Sequence, residues 1–258
     1  MLAEVLRPLI ESPERAAILC DIDGTLAPIV ERADQARVPP EATRRLAELT
    51  RRYAVIACVS GRSAVDAKRL VGVGRIAYAG AHGAELLRPG AREPTTLPEF
   101  ERYRDPVHHF VATHDGEPLR VLGVRVEDKG PIVALHWRGA PDEDAAEASL
   151  RAVAGAAQAD GLATHWGRKV LEVRPPVPIT KARAVEELIR DVRVAMYAGD
   201  DVTDLDAFDA LDAAVEAGDL DAAVRVGVAS AEGPAAIEQR ADLVVQGTAG
   251  FQAVLDAL

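Results

Sequence analysis

Two aspartates separated by one apolar residue, Asp21-Ile22-Asp23, stand at the end of the apolar run AAILC and are followed at once by Gly24-Thr25. Such a run reads as a buried strand, and side chains at the carboxyl end of a strand in an open α/β sheet face the crevice where ligands bind. Period-two spacing gives Asp21 and Asp23 a common face, and Gly24 lets the chain turn away, so two carboxylates are left at the rim. A second acidic cluster, Gly199-Asp200-Asp201-Val202-Thr203-Asp204, follows the run VRVAMYA. Two such clusters converging on one pocket cannot all stay ionised without a cation. Oxygen donors, with no Cys/His ligand spacing to compete, favour Mg²⁺ over Zn²⁺. One of these aspartates should also cap the helix that opens after Asp201.

Two further strand ends carry groups suited to phosphate. Ser60-Gly61-Arg62-Ser63 follows YAVIACV and precedes a helix, so the Ser60 hydroxyl and free backbone amides around Gly61 can hold an anion. Lys181 begins a helix, where its charge opposes the macrodipole; that placement points to a functional demand. Two acids, a second acid cluster, a hydroxyl and a lysine together compose a site for phosphoryl transfer.

The elements that must position these groups follow from periodicity. Apolar runs alternate with Ala/Leu/Glu/Arg stretches of helical spacing, the pattern of a parallel sheet covered by helices on both faces. From about Asp105 to Val173 the rhythm changes to strands of alternating character around one helix, Pro141 to Ala159, and the exit RPPVPITK is stiffened by three prolines. The expected fold is α/β, a Rossmann-like parallel-sheet core made of residues 1–104 and 177–258, with a smaller α+β cap inserted at 105–176. The charged stretch Leu97 to Asp105 and the proline linker are expected to form a hinge pair that lets the cap close.

DIDGT, the strand-end Ser60, Lys181 and GDDVTD stand in the order of the four motifs of the haloacid dehalogenase-like (HAD) phosphohydrolases, and from about Ala17 to Gly250 the chain resembles the trehalose-6-phosphate phosphatase branch of that superfamily. DGTLAPIV, HGAE, LHWR and LEVRP carry the resemblance to the branch. The resemblance implies that Asp21 attacks phosphorus to give an aspartyl-phosphate, and that Asp23 protonates the leaving sugar oxygen and then activates water. It implies Mg²⁺ held by Asp21, the backbone carbonyl of Asp23, and Asp200, with Asp204 or Asp201 acting through waters. Ser60, Gly61 and Lys181 would bind the phosphoryl group. Carried across by motif, Glu127, Lys129, Arg138, Arg168 and Glu172 would hydrogen-bond sugar hydroxyls, with His82 of AHGAE a further substrate contact. One departure is local: the family usually has Lys-Gly where this chain has Lys181-Ala182.

The chain's 258 residues carry 30 basic against 41 acidic side chains, a net charge of −11, which disfavours nucleic acid and anionic membrane surfaces as partners. No stretch reaches the ~20 apolar residues of a membrane span or has the form of a signal peptide. Cys20 and Cys58 both lie inside apolar runs and read as buried hydrophobes. These features lead to an expectation of a soluble, unprocessed, cytoplasmic monomer acting on a small sugar phosphate. Alternatives are a phosphatase of sucrose 6-phosphate or mannosyl-3-phosphoglycerate, and a phospho-accepting regulatory domain. Gly72-Val73-Gly74 is set aside as a dinucleotide fingerprint because it follows a helix and precedes a strand.

Overall fold

The β-branched and alanine-rich run Ala16–Cys20 (β1) is buried along its whole length, and its alternating side chains feed two separate apolar clusters. Ile18 and Cys20 pack in one with residues of the helices Pro40–Leu49, Ala64–Val71 and Gly247–Ala257. Ala17 and Leu19 pack in the other with residues of the helices Lys181–Leu188, Val202–Glu216 and Ala235–Arg240. A strand apolar on both faces needs a helical layer on each side, and both are present. The computed structural model describes residues 2–30, 35–230 and 233–258.

The remaining strands are Val55–Val59 (β2), Ala77–Gly80 (β3), Glu85–Leu87 (β4), Thr95–Thr96 (β5), Arg125–Lys129 (β6), Ile132–His136 (β7), Ala163–Gly167 (β8), Val170–Arg174 (β9), Val194–Gly199 (β10), Ala222–Ala229 (β11) and Leu243–Gln246 (β12). The larger sheet has the order β12-β11-β10-β1-β2-β3-β4-β5. The strands from β12 to β3 in that order pair in parallel, and β4 turns back antiparallel on β3. The chain leaves β1 toward β2 on one side and meets β10 on the other, so the topological switch lies beside the carboxyl end of β1, where Asp21 stands. Cys20 and Cys58 are register partners, one residue before Asp21 and two before Ser60, and both are buried free thiols.

The chain divides into two compact units, Met1–Thr95 with Thr180–Leu258, and Thr96–Ile179. The larger unit has the α/β architecture expected from the sequence. The smaller has an antiparallel sheet of order β6-β7-β9-β8 and its own core, in which Val133, Leu135, Leu171 and Val173 pack with Leu150, Ala154 and Phe110. Its boundaries differ from 105 and 176. Residues Pro98–His114 form one helix through the charged stretch that the sequence reads as irregular, so residues 96–104 go with the smaller unit. Its buried face is only Phe100, Val107, Phe110 and Val111, and Pro106 lies inside it, which hides the helical period. Glu117–Val121 after it is also helical, and β6 begins only at Arg125.

Candidate active site

Asp21 continues the face of β1 that carries Ala17 and Leu19, and that face packs against the helices beginning at Lys181 and Val202. Its amide is held by Ala198 O at 2.9 Å, which ties the loop after β1 to β10. Lys181, the first residue of its helix, places Nζ 2.8 Å from Asp21 Oδ1 and 2.7 Å from Asp204 Oδ1. All three side chains are buried. Asp200 lies beside them, accepting from the Thr25 hydroxyl at 3.1 Å. Gly24 has φ +96°, and a Cβ there would lie 2.0 Å from Asp200 Oδ2; only glycine lets the loop after Asp23 pass this close to the second acidic cluster.

Asp21, Asp200 and Asp204 each offer a carboxylate oxygen within 4.8 Å of the others. Burial raises Asp21 to about 8, Lys181 opposing and Asp204 adding to the rise. Burial and the Asp204 carboxylate likewise raise Asp200 to about 7. Burial works against the charge of Lys181, but Asp204 and Asp21 outweigh it and hold its pKa above the ordinary lysine value. One ammonium faces three acids. The oxygen-only donor set and its uncompensated charge fit a hard divalent cation.

Asp204 has less room for one than the sequence suggests. Its Oδ1 accepts from Lys181 and from the Tyr197 hydroxyl at 2.7 Å, and its Oδ2 accepts from the amides of Asp200 and Asp201 at 3.0 Å each. With four donors on two oxygens, and no exposed surface, Asp204 is an anchor for Lys181 and for the turn before its helix. Asp201 is the N-cap of that helix, and Asp201 and Asp204 form a capping box.

Asp23 faces elsewhere: Arg62 Nε and one terminal nitrogen each lie 2.7 Å from one of its oxygens. Ser60 is buried and does not cap the following helix; Ser63 does, accepting from Asp66 N. The Ser60 hydroxyl instead receives the Arg62 amide at 3.2 Å. Ala81 and His82 both have left-handed φ, 50° and 56°, a strained conformation for residues with a Cβ. Their amides grip carbonyls of the loop after β2, His82 N to Ser60 O at 3.0 Å and Ala81 N to Arg62 O at 2.7 Å. The His82 ring lies so close to Gly61 that a Cβ there would be 2.7 Å from it. The Ala64 amide at the helix start is already taken by buried Glu85 at 2.5 Å, while Gly61 N makes no hydrogen bond among the described residues.

In the smaller unit, Glu127, Ala134, Glu172 and His165 are register partners across the sheet, so they form one row on the face opposite the apolar core. Lys129 donates to Glu172 at 3.0 Å and lies 3.7 Å from Glu127, which also bonds His136 at 2.7 Å. Arg174 takes the second oxygen of Glu172. Burial opposes the charge of Glu127, but His136 and Lys129 hold its pKa below the ordinary value. Of the five expected sugar contacts, Glu127, Lys129 and Glu172 are thus brought together. Arg138 and Arg168 lie past the strand ends, with Arg138 bonded to Arg168 O at 3.1 Å. Sequence reasoning missed Arg62, Tyr197, Thr25, Glu85, His136 and Arg174. Arg62 and Thr25 lie inside the quoted motifs, and His136 and Arg174 are two positions along the strand from row members, a signal that period-two counting offers.

The profile of the trehalose-phosphatase family matches residues 19–239. The trehalose-phosphate phosphatase of Mycobacterium avium is 36% identical over 203 residues, covering 76% of this chain and 51% of that protein. An uncharacterized glycosyl hydrolase of Mycobacterium tuberculosis is 34% identical over 206 residues, covering 76% of this chain and 15% of that protein. The chain thus spans about half the length of the first relative and a small part of the second. A solved structure of the C-terminal domain of the Candida albicans trehalose-6-phosphate phosphatase aligns over 98% of this chain and 95% of that one, with a TM-score of 0.69 at 20% identity, a likeness of fold. From its matched length and these relatives, the chain belongs to the trehalose-phosphatase family.

Proposed function

We propose that this chain hydrolyses the phosphate ester of trehalose 6-phosphate by way of an aspartyl-phosphate on Asp21, with Mg²⁺ as cofactor. The observation that carries the reading is the buried Asp21 carboxylate at the switch point of the sheet, tied to Lys181 and beside Asp200. Membership of the trehalose-phosphatase family supports trehalose 6-phosphate as the substrate.

Asp21 forms a bond to phosphorus as the bond from phosphorus to the sugar oxygen breaks, and Asp23 gives that oxygen its proton. Asp23 then takes a proton from water, the new oxygen bonds to phosphorus, and the bond to Asp21 breaks to release orthophosphate. The Arg62 fork takes one lone pair on each Asp23 oxygen and holds the carboxyl in place, leaving the second pair of each for the proton that is transferred. Lys181, the Ser60 hydroxyl and the Gly61 amide bind the phosphoryl oxygens. Asp21, Asp200 and the carbonyl of Asp23 are the groups that would hold Mg²⁺, Asp204 being committed to Lys181. When bound, the ion screens the repulsion between an anionic nucleophile and an anionic ester. The polar face of the smaller sheet, with Glu127, Lys129 and Glu172, supplies sugar hydrogen bonds, and His82 sits against the phosphate loop. The expected surroundings are cytoplasmic; among the described residues no helix is long and apolar enough to cross a membrane.

The test is phosphate release, with Mg²⁺ and with EDTA, from trehalose 6-phosphate beside glucose 6-phosphate, sucrose 6-phosphate, mannosyl-3-phosphoglycerate and p-nitrophenyl phosphate. A kcat/KM for trehalose 6-phosphate higher by about 100-fold, equivalent to about 2.7 kcal/mol in the transition state, is expected. Equal rates on all five would discard the trehalose assignment, and no turnover on any would favour a regulatory phospho-accepting role.

A further inference from the structure

Tyr197 lies on β10 directly beneath the site and is wholly buried. Its ring meets Phe208 edge-on, with centroids 6.2 Å apart and planes at 83°, so its direction is fixed by packing. A phenylalanine would satisfy that packing and avoid placing a hydroxyl in the core. The hydroxyl is directed at Asp204 Oδ1, the oxygen that also receives Lys181, both at 2.7 Å. Burial and the Asp204 charge hold the phenol well above its ordinary pKa, so it remains a donor.

The geometry matters because of what Lys181 must do. An ammonium has three N–H donors, of which one goes to Asp21 Oδ1 and one to Asp204 Oδ1, leaving the third for a phosphoryl oxygen. A carboxylate oxygen has two lone pairs directed in its plane. With the hydroxyl on one and the ammonium on the other, Asp204 Oδ1 is saturated. The two amides on Oδ2 stop the carboxylate from rotating. Without the hydroxyl, Oδ1 has spare acceptor capacity and unshared charge, and the nearest cation able to answer it is Lys181, which would be drawn away from Asp21.

We propose that Tyr197 is a positioning residue for phosphoryl transfer: its hydroxyl fills one side of Asp204 Oδ1 and so keeps Lys181 shared between Asp204 and Asp21. This inference rests on the proposed phosphatase function. Tyr197 never touches the substrate; it acts through Asp204 on the cation that does.

The test is Tyr197→Phe, alone and combined with Lys181→Ala, read by kcat and KM on trehalose 6-phosphate with Mg²⁺ and by calorimetric binding of orthovanadate, with thermal melting to confirm folding. The single variant should melt as a folded protein, lose about 10- to 100-fold in kcat with little change in KM, and bind orthovanadate correspondingly less tightly. In the Lys181→Ala background the added Tyr197→Phe should change neither readout, because its effect passes through Lys181. A purely structural role would lower the melting temperature and leave kcat per folded molecule and orthovanadate binding unchanged; that result would overturn the proposal. So would an equal loss with and without Lys181. If the wild type releases no phosphate from any ester, the phosphatase reading fails, and the orthovanadate arm still decides whether Tyr197 positions Lys181.

Discussion

Arg62 grips Asp23 through two parallel hydrogen bonds of 2.7 Å, Nε to one carboxylate oxygen and a terminal nitrogen to the other. A planar fork of this kind is stronger and more directional than a single ammonium contact. It parks the proposed acid-base group in a fixed place, and a lysine cannot reproduce it. Arg62→Lys should therefore reduce kcat on trehalose 6-phosphate by about 10-fold or more, with a smaller loss on p-nitrophenyl phosphate, whose leaving group needs little protonation. Steady-state kinetics on both esters checks this; equal losses on both would place Arg62 in phosphate binding alone.

The strained Ala81–His82 turn and the Ser60–Arg62 loop, the proposed phosphate loop, are locked together by two backbone hydrogen bonds and by the His82 ring lying against Gly61. Gly61→Ala should push the loop away from that ring and weaken orthovanadate inhibition about tenfold, at a cost of roughly 1–3 kcal/mol for overpacking. Adding His82→Ala should restore much of the inhibition by making room. A double variant no better than Gly61→Ala would show that the ring is not what the methyl meets.

In the smaller unit, Glu172 is buried between Lys129 and Arg174 on the polar face of the sheet. Glu172→Gln should lower kcat/KM for trehalose 6-phosphate by about 10- to 100-fold and leave p-nitrophenyl phosphate within about threefold, since the aryl ester has no sugar hydroxyls to recognise. Parallel losses on both esters would remove this face from sugar selection.

The raised pKa values of Asp21, about 8, and Asp200, about 7, have a consequence for stability without metal. Both lie above the unfolded carboxylate value, so the folded state binds protons more tightly. The stabilisation is fully present below about pH 4 and is lost as pH rises through 7 to 8. In EDTA the chain should melt several degrees lower at pH 8.5 than at pH 5.5, where each 1 kcal/mol corresponds to about 2–4 °C for a chain of this size. Mg²⁺ should recover most of the loss, and Asp21→Asn should flatten the dependence. Calorimetric melting temperatures that rise from pH 5.5 to 8.5 in EDTA would contradict the electrostatic picture.

The parallel sheet was legible because β1, β2 and β10 are short β-branched or alanine-rich runs buried on both faces, each ending in the polar residues of the site. Asp21, Ser60, Lys181 and Asp200 were visible for the same reason: strand ends and helix starts are read from local pattern. What was hidden depends on tertiary contact. Nothing local in SGRS says that Arg62 reaches 39 residues back to Asp23, or that Tyr197 turns toward Asp204. The helix Pro98–His114 was missed because four buried positions in seventeen and an internal proline give too weak a period. Arg138 and Arg168 were chosen by motif, and the register of the small sheet puts His136 and Arg174, not them, beside the polar row.

The most direct test of the account is whether phosphate passes through Asp21. Trehalose 6-phosphate labelled in its phosphoryl group is mixed with excess enzyme and Mg²⁺ and quenched in acid within a turnover; protein-bound label is counted in one portion, and a second is treated with borohydride, which reduces an acyl phosphate to an alcohol and releases its phosphate. Peptide mass spectrometry should find homoserine at position 21, and Asp21→Asn should trap no label and lose at least about 1,000-fold in turnover while melting as a folded protein. Label at another residue, or phosphate release by Asp21→Asn at a rate near that of the wild type, would contradict the assignment of Asp21 as the nucleophile.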